Sequence, residues 1–184
     1  MKISIHQPNF FPWYPFFQKI EQADLFVILK EVQFEKNNFQ NRFNFQNGWY
    51  TMSVHKGLVP IKEKKYFDPY SDWEKIKSKL IKYKIILDQF DDCISNDLLQ
   101  TNTQIINKIC KFLEIKTKIV FDYETKLKSS ERLVDICQKY NATTYISGIG
   151  GKKYLDLSLF NDIKVEFQSN LNKIHTIELL GSKL

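Results

Sequence analysis

The chain opens on a short β-rich run, KISIH, that ends at the polar His6, and Pro8 and Pro12 punctuate the residues after it. Proline fixes φ and removes a backbone donor, so a strand stops and a turn follows. From Trp13 the apolar positions recur at Phe16, Phe17 and Ile20, the spacing of one helical face. LFVIL, residues 25–29, is then a continuous apolar run bounded by charges, as expected of a strand buried on both sides. Strand, helix and strand within so short a length predict a βαβ unit, hence parallel pairing and a right-handed crossover.

Residues 33–47 are dense in Gln, Asn and Phe without helical periodicity and read as an ordered loop with short strands. A strand is expected over 48–54, a Lys-rich loop over 55–71, and a helix capped by Asp72 and running to about Leu87, with Trp73, Ile76, Leu80 and Tyr83 on one face. A second helix follows from about Asn96 to Leu113. The second half returns to alternation. A strand is expected at 117–121 and a helix capped by Ser129 or Ser130 with Leu133, Ile136 and Cys137 inward. Another strand, 143–147, runs into Gly148-Ile149-Gly150-Gly151; a helix over 152–157 and a strand at 163–167 complete the pattern. The predicted fold is α/β: one domain over 1–184, a Rossmann-like, mostly parallel sheet with helices on both faces and a helical-pair insertion at about 72–114.

The chain has 184 residues, 43% apolar and 15% aromatic, enough for one core and too apolar for a disordered chain. Its net charge of +6 raises a nucleic-acid reading, but the basic residues are nearly all lysine and scattered. A solvated basic face is expected, with no nucleic-acid partner. Against that background the two arginines, Arg42 and Arg132, stand out, because a planar guanidinium suits carboxylate or phosphate. Three widely spaced cysteines without a CxxC pair suggest neither a disulfide framework nor a zinc site. With no signal-like segment and no long apolar run, a cytoplasmic protein is expected.

In a doubly wound sheet, ligands sit beyond the carboxyl ends of the strands, which selects three segments. The first is His6-Gln7-Pro8-Asn9, where His6 could move a proton near neutral pH. The second, Gln33-Phe34-Glu35-Lys36 with Gln40-Asn41-Arg42, offers amides for sugar hydroxyls and cations for phosphate. The third, Ser147-Gly148-Ile149-Gly150-Gly151, is a strand–loop–helix junction where backbone amides could approach a ligand, although its spacing fits neither a Walker motif nor GxGxxG. Arg132, beside Glu131, reads equally as a ligand contact or a surface ion pair.

KISIHQPNFFPW, FFQKIEQADLFVIL followed by VQFEKNNFQNR, and SSERLVDICQKYNATTYISGIGGKKYLD together resemble the WbqC-like family over roughly residues 1–155. The resemblance implies a place in surface-polysaccharide or O-antigen synthesis and a group transferase that moves an N-acyl or aminoacyl (glycyl) group to an amino sugar. The expected ligand is a small molecule, a nucleotide-sugar or phosphate-bearing sugar; the sequence specifies no cofactor and no metal site. His6 would be the general base. Gln7, Asn9, Gln33, Gln40 and Asn41 would orient polar groups, Lys36, Arg42 and Arg132 would hold an anion, and Ser147, Gly148, Gly150 and Gly151 would cradle a phosphate or oxyanion. Two departures from the family stand out. Lys30-Glu31 replaces an acidic pair, and the region from about 168 to 184 lacks an aromatic, proline-rich stretch expected to close over substrate. An ATP-using nucleotidyl or adenylyl transferase, suggested by a strand that ends in His, and a non-catalytic subunit of a glycan-assembly complex remain as alternatives.

Overall fold

The computed structural model describes residues 1–169 and 171–181. Its centre is β1 (Lys2–His6), paired in parallel with β2 (Leu25–Ile28) on one side and β6 (Thr144–Ser147) on the other. β5 (Lys118–Phe121) and β7 (Lys164–Phe167) complete five parallel strands in the order β5–β2–β1–β6–β7. The chain builds outward from β1 to β2 and β5, then returns to the far side of β1. The winding direction therefore reverses between β1 and β6, and a crevice opens at their carboxyl ends.

Side-chain alternation assigns the two faces of the sheet. Ile3, Ile5, Leu25 and Val27 pack with Leu133, Ile136 and Cys137 of α4 (Ser129–Lys139). Phe26 and Ile28 point the other way, into Phe16, Phe17 and Ile20 of α1 (Tyr14–Glu21). The insertion between β2 and β5 joins this second core. It holds an antiparallel hairpin, β3 (Arg42–Phe45) with β4 (Gly48–Thr51), and then α2 (Pro69–Leu80) and α3 (Leu98–Phe112).

Several predicted ends move. α2 starts at Pro69, and Asp72, instead of capping it, accepts the Ser53 N–H at 2.7 Å. The helix stops in a short 3-10 turn before Lys84, whose left-handed φ of 59° no α-helix continues through. Neither serine caps α4 through its side chain; Ser130 instead accepts the Asp156 N–H at 2.9 Å. The helix expected over 152–157 is replaced by 3-10 turns at Ile149–Lys153 and Leu157–Phe160.

The turn after β1 is strained. Phe11 has φ 44°, which costs a bulky L-residue about 1–2 kcal/mol. Its ring is wholly buried, stacked on Trp73 at 5.4 Å and edge-on to Phe90 at 5.1 Å. Burying one phenylalanine contributes roughly 1.5–3 kcal/mol, and each ring pair adds about 0.5–1.5 kcal/mol. Packing outweighs strain, so the insertion sets the path of this turn.

Asn102 of α3, completely buried, completes that control. Its Nδ2 donates to the carbonyls of Pro8 and Gln40 at 2.9 and 2.7 Å, and its Oδ1 accepts from the Tyr66 hydroxyl at 2.9 Å. Asn102→Ala leaves three buried polar groups unpaired, each worth ~1 kcal/mol or more. Urea unfolding of this variant is expected to show a loss of about 2–4 kcal/mol with an unchanged m value; a loss within ~0.5 kcal/mol would show that the tie is dispensable.

Candidate functional site

A cleft of about 1290 Å³ lies over the carboxyl ends of the strands. Its walls come from the turn after β1, the loop after β2, the β3–β4 hairpin, the start of α4 and the segment leading into α5 (Thr176–Gly181). Among the described residues no group of three His, Cys, Asp or Glu side chains could hold a metal ion. No described helix is long and apolar enough to cross a membrane.

His6 lies in the cleft wall at the end of β1, half-buried, its ring edge-on to Phe16 at 5.1 Å. Its Nδ1 is 2.9 Å from the backbone carbonyl of Gln7. A carbonyl oxygen only accepts, so Nδ1 carries the proton and Nε2 holds the lone pair. Burial, with the neighbouring Lys19 charge, depresses the His6 pKa to about 3, against a smaller upward pull from the Gln7 carbonyl. Lys19 itself is buried, donates to the Ile5 carbonyl at 3.2 Å, and is pushed down to about 7 by desolvation. His6 is therefore a neutral acceptor of weak basicity. It suits a proton that has itself turned acidic, such as one on an amine nitrogen already bonded to a carbonyl carbon.

The amide assignments beside His6 follow from one backbone group. The Glu35 N–H must donate, so the Gln40 atom 2.9 Å away is Oε1. Gln40 Nε2 then donates to Gln7 Oε1 at 2.7 Å, and Gln7 Nε2 is left to donate to the Glu35 carboxylate at 3.2 Å. Asn38 holds the other carboxylate oxygen. Gln7 thus fixes the tautomer of His6 with its carbonyl and the position of Glu35 with its side chain.

Of the residues expected in a site, His6, Gln7, Asn9, Gln33 and Arg132 line this cleft. Arg132 reaches it from α4 while its Nη2 donates to Asp122 and, at 2.9 Å, to the Tyr123 carbonyl. It is a buried ion pair, not a helix-surface one. Asp122 also accepts the N–H groups of Lys30 and Glu31. Burial would raise the Glu31 pKa, but hydrogen bonds from Lys30 and Lys62 outweigh it and hold the carboxyl low. Lys30-Glu31, where an acidic pair was expected, thus forms an ion-paired cluster with Lys62 and shares Asp122 with Arg132.

Lys36, Gln40, Asn41, Arg42, Ser147, Gly148, Gly150 and Gly151 are not among the lining residues. Lys36 is exposed elsewhere. Gln40 is wholly buried and works on Gln7, and Asn41 donates to the Met52 carbonyl at 2.7 Å. Arg42 lies 4.0 Å over the Trp49 ring and donates to the Asn37 carbonyl, bracing the hairpin against its own loop. In the glycine segment, a Cβ on Gly151 would sit 2.1 Å from Ser147 Oγ, so close packing excludes a side chain there.

The sequence reading missed Glu35, Lys19, Tyr154, Lys173, His175 and Glu178. Alternation about the buried Phe34 puts Gln33 and Glu35 on one side, a signal that was present. The C-terminal stretch, expected to be either missing its closing part or rebuilt, contributes Lys173, His175 and Glu178 to a wall of the cleft.

The fold and the cleft define a doubly wound α/β protein with a small-molecule-sized pocket at its switch point. The chain belongs to the WbqC-like protein family, which it matches over residues 7–175. It is similar to the uncharacterized protein Rv1507c of Mycobacterium tuberculosis, at 27% identity over 89% of this chain and 79% of that one. No solved structure matches.

Two outcomes are expected. Burial also lowers the His175 pKa, to about 4. The unfolded chain takes up protons on both histidines near 6.5 while the folded protein resists, so stability falls as pH drops below 6.5. The share from His175 is lost by about pH 4 and that from His6 by about pH 3. Melting curves of His175→Phe should fall less steeply than wild type between pH 6.5 and 4; an equal slope would mean His175 is not held neutral. Arg42→Lys should lower the melting temperature by a few degrees, about 1 kcal/mol of bracing, and leave ligand affinity at the cleft unchanged by calorimetry.

Proposed function

We propose that this cleft is the active site of a transferase that moves an N-acyl or aminoacyl group to the amine of an amino sugar in bacterial surface-glycan synthesis. The observation that carries the reading is the pairing of a neutral His6 with the Glu35 carboxylate, both positioned by Gln7. Glu35 is placed to hold the ammonium of an acceptor. Once that ammonium has released one proton to solvent and its nitrogen has bonded to the acyl carbon, His6 Nε2 accepts the second proton the nitrogen sheds. The flat faces of Trp13 and Tyr154, 44% and 69% exposed in the cleft, suit the apolar face of a sugar ring.

Charge supports an amine acceptor over a polyphosphate. The lining carries Glu35 and Glu178 against Lys173 and an Arg132 already neutralised by Asp122, so it offers no surplus of positive charge to a nucleotide. In this reading the protein acts in the cytoplasm on a small molecule rather than on nucleic acid.

The test is calorimetry with an amino sugar and its N-acetylated counterpart, followed by acyl transfer from thioester and aminoacyl-ester donors read by mass. Wild type should prefer the free amine. Glu35→Gln should weaken that binding roughly tenfold, one charge-assisted hydrogen bond, and leave the N-acetylated sugar unaffected. His6→Asn should bind and not turn over. Stabilisation by ATP with magnesium alone would favour a nucleotidyl transferase instead, and no binding of any of these would favour a scaffold subunit.

A further inference from the structure

His175 lies far from His6 in sequence and shares its cleft. The residues on either side of it are tied to the turn after β1. The Tyr14 N–H donates to the Ile174 carbonyl at 3.2 Å, and the buried Thr176 hydroxyl donates to the Pro12 carbonyl at 2.6 Å. The imidazole packs against Phe43 at 5.2 Å and Phe45 at 5.8 Å, which leaves it little freedom to turn. The Ile177 N–H donates to His175 Nδ1 at 3.4 Å. An N–H needs a lone pair, so Nδ1 is unprotonated and Nε2 bears the proton. His6 is the reverse, because its Nδ1 faces a carbonyl. The cleft therefore holds two imidazoles in opposite tautomers, one accepting and one donating through Nε2.

Resting on the acyl-transfer reading above, we propose that His175 is a catalytic residue whose Nε2–H donates to the carbonyl oxygen of the acyl donor, opposite His6. The amine nitrogen bonds to the acyl carbon, and the carbonyl π pair moves onto oxygen, where His175 meets the growing negative charge. His6 Nε2 takes the proton shed by nitrogen. The oxygen pair then re-forms the double bond, the bond from carbon to the leaving group breaks, and the leaving group departs with that pair and the proton from His6. A donor that stays neutral near pH 7 fits this task, because it stabilises the oxyanion without handing over its proton; the depressed His175 pKa, about 4, agrees. Lys173 and Glu178 are the charged groups beside it in the lining.

Long-range proton–nitrogen correlation spectra of the ¹⁵N-labelled full chain test this directly, and spectra of His6→Asn and His175→Leu assign peaks among the three histidines. His6 should show a protonated Nδ1 and His175 a protonated Nε2, both unchanged from pH 8 to 5. Adding an N-acetylated amino sugar, whose amide carbonyl stands in for the acyl oxygen, should move the His175 Nε2 proton downfield; the free-amine sugar should not. In turnover, His175→Leu should lose roughly 100-fold in kcat with the amino-sugar KM unchanged, and His175→Gln, which keeps an N–H donor, should recover part of it. An Nδ1-protonated or charged His175 overturns the inference whatever the substrate is. Correct tautomers with no response to either sugar overturn the acyl-transfer reading, and with it the oxygen assigned to His175.

Discussion

One buried amide of the insertion ties together, from below, the two loops whose side chains meet in the cleft, adding to the direct bonds between them. Asn102 joins the carbonyl of Pro8, just past β1, to that of Gln40, in the loop beyond β2. The first loop begins at Gln7, directly after His6 at the end of β1, and the second carries Glu35. A doubly wound sheet provides a crevice at its switch point but not its walls. Two of those walls are tied to α3, and the wholly buried Tyr66 hydroxyl holds the amide in the orientation that lets Nδ2 donate twice. Removing any of the three partners would strand a polar group in a dry core, which makes the arrangement all-or-none.

Electrostatics inside the molecule divides into two kinds. Arg132–Asp122 and Glu31 between Lys30 and Lys62 are charges taken out of water together, each with a partner. His6, His175 and Lys19 are basic groups whose pKa values burial depresses without a carboxylate to restore them. Burying a charge costs more than burying a neutral ring, so both imidazoles at the cleft stay uncharged at physiological pH. Lys30, Glu31 and Lys62 lie outside the cleft lining, Arg132 within it is held by Asp122, and the two imidazoles line the space where a ligand would sit. That segregation leaves the lining with little net charge and a large apolar share.

All five strands of the parallel sheet were legible near their observed ranges, LFVIL as a continuous apolar run, and the alternation of strands and helices pointed to parallel pairing. The helix expected to reach Leu87 shows what is not legible. Its amphipathic spacing continues past Leu80, but a 3-10 turn and a left-handed Lys84 cut it short. At the site, His6 and Gln7 were readable because a strand end fixes where side chains point. Gln40, Asn41 and Arg42 were not, because a polar run gives no sign of which side chains serve the chain's own backbone. Arg42 drew attention by its rarity, yet its guanidinium spans Asn37 and Trp49. His175 was invisible for a different reason: nothing local marks a residue whose position is set by contacts with Pro12 and Tyr14, more than 160 residues earlier.

Those contacts also bear on how a ligand meets the site. The wall carrying His175 is fastened by two hydrogen bonds, one from a buried hydroxyl, and Ile177 and Leu180 behind it are buried in the main core. To swing away it would have to expose both side chains, at a cost of about 1.5–3 kcal/mol each, and leave the Thr176 and Pro12 groups unpaired. The two imidazoles are therefore held in place before any ligand arrives, and binding need not supply the ordering free energy that a mobile wall would demand. The cleft is thus preformed rather than assembled around a ligand. Specificity then rests on how a ligand's own donors and acceptors match a fixed pair of nitrogens, one with a proton and one without.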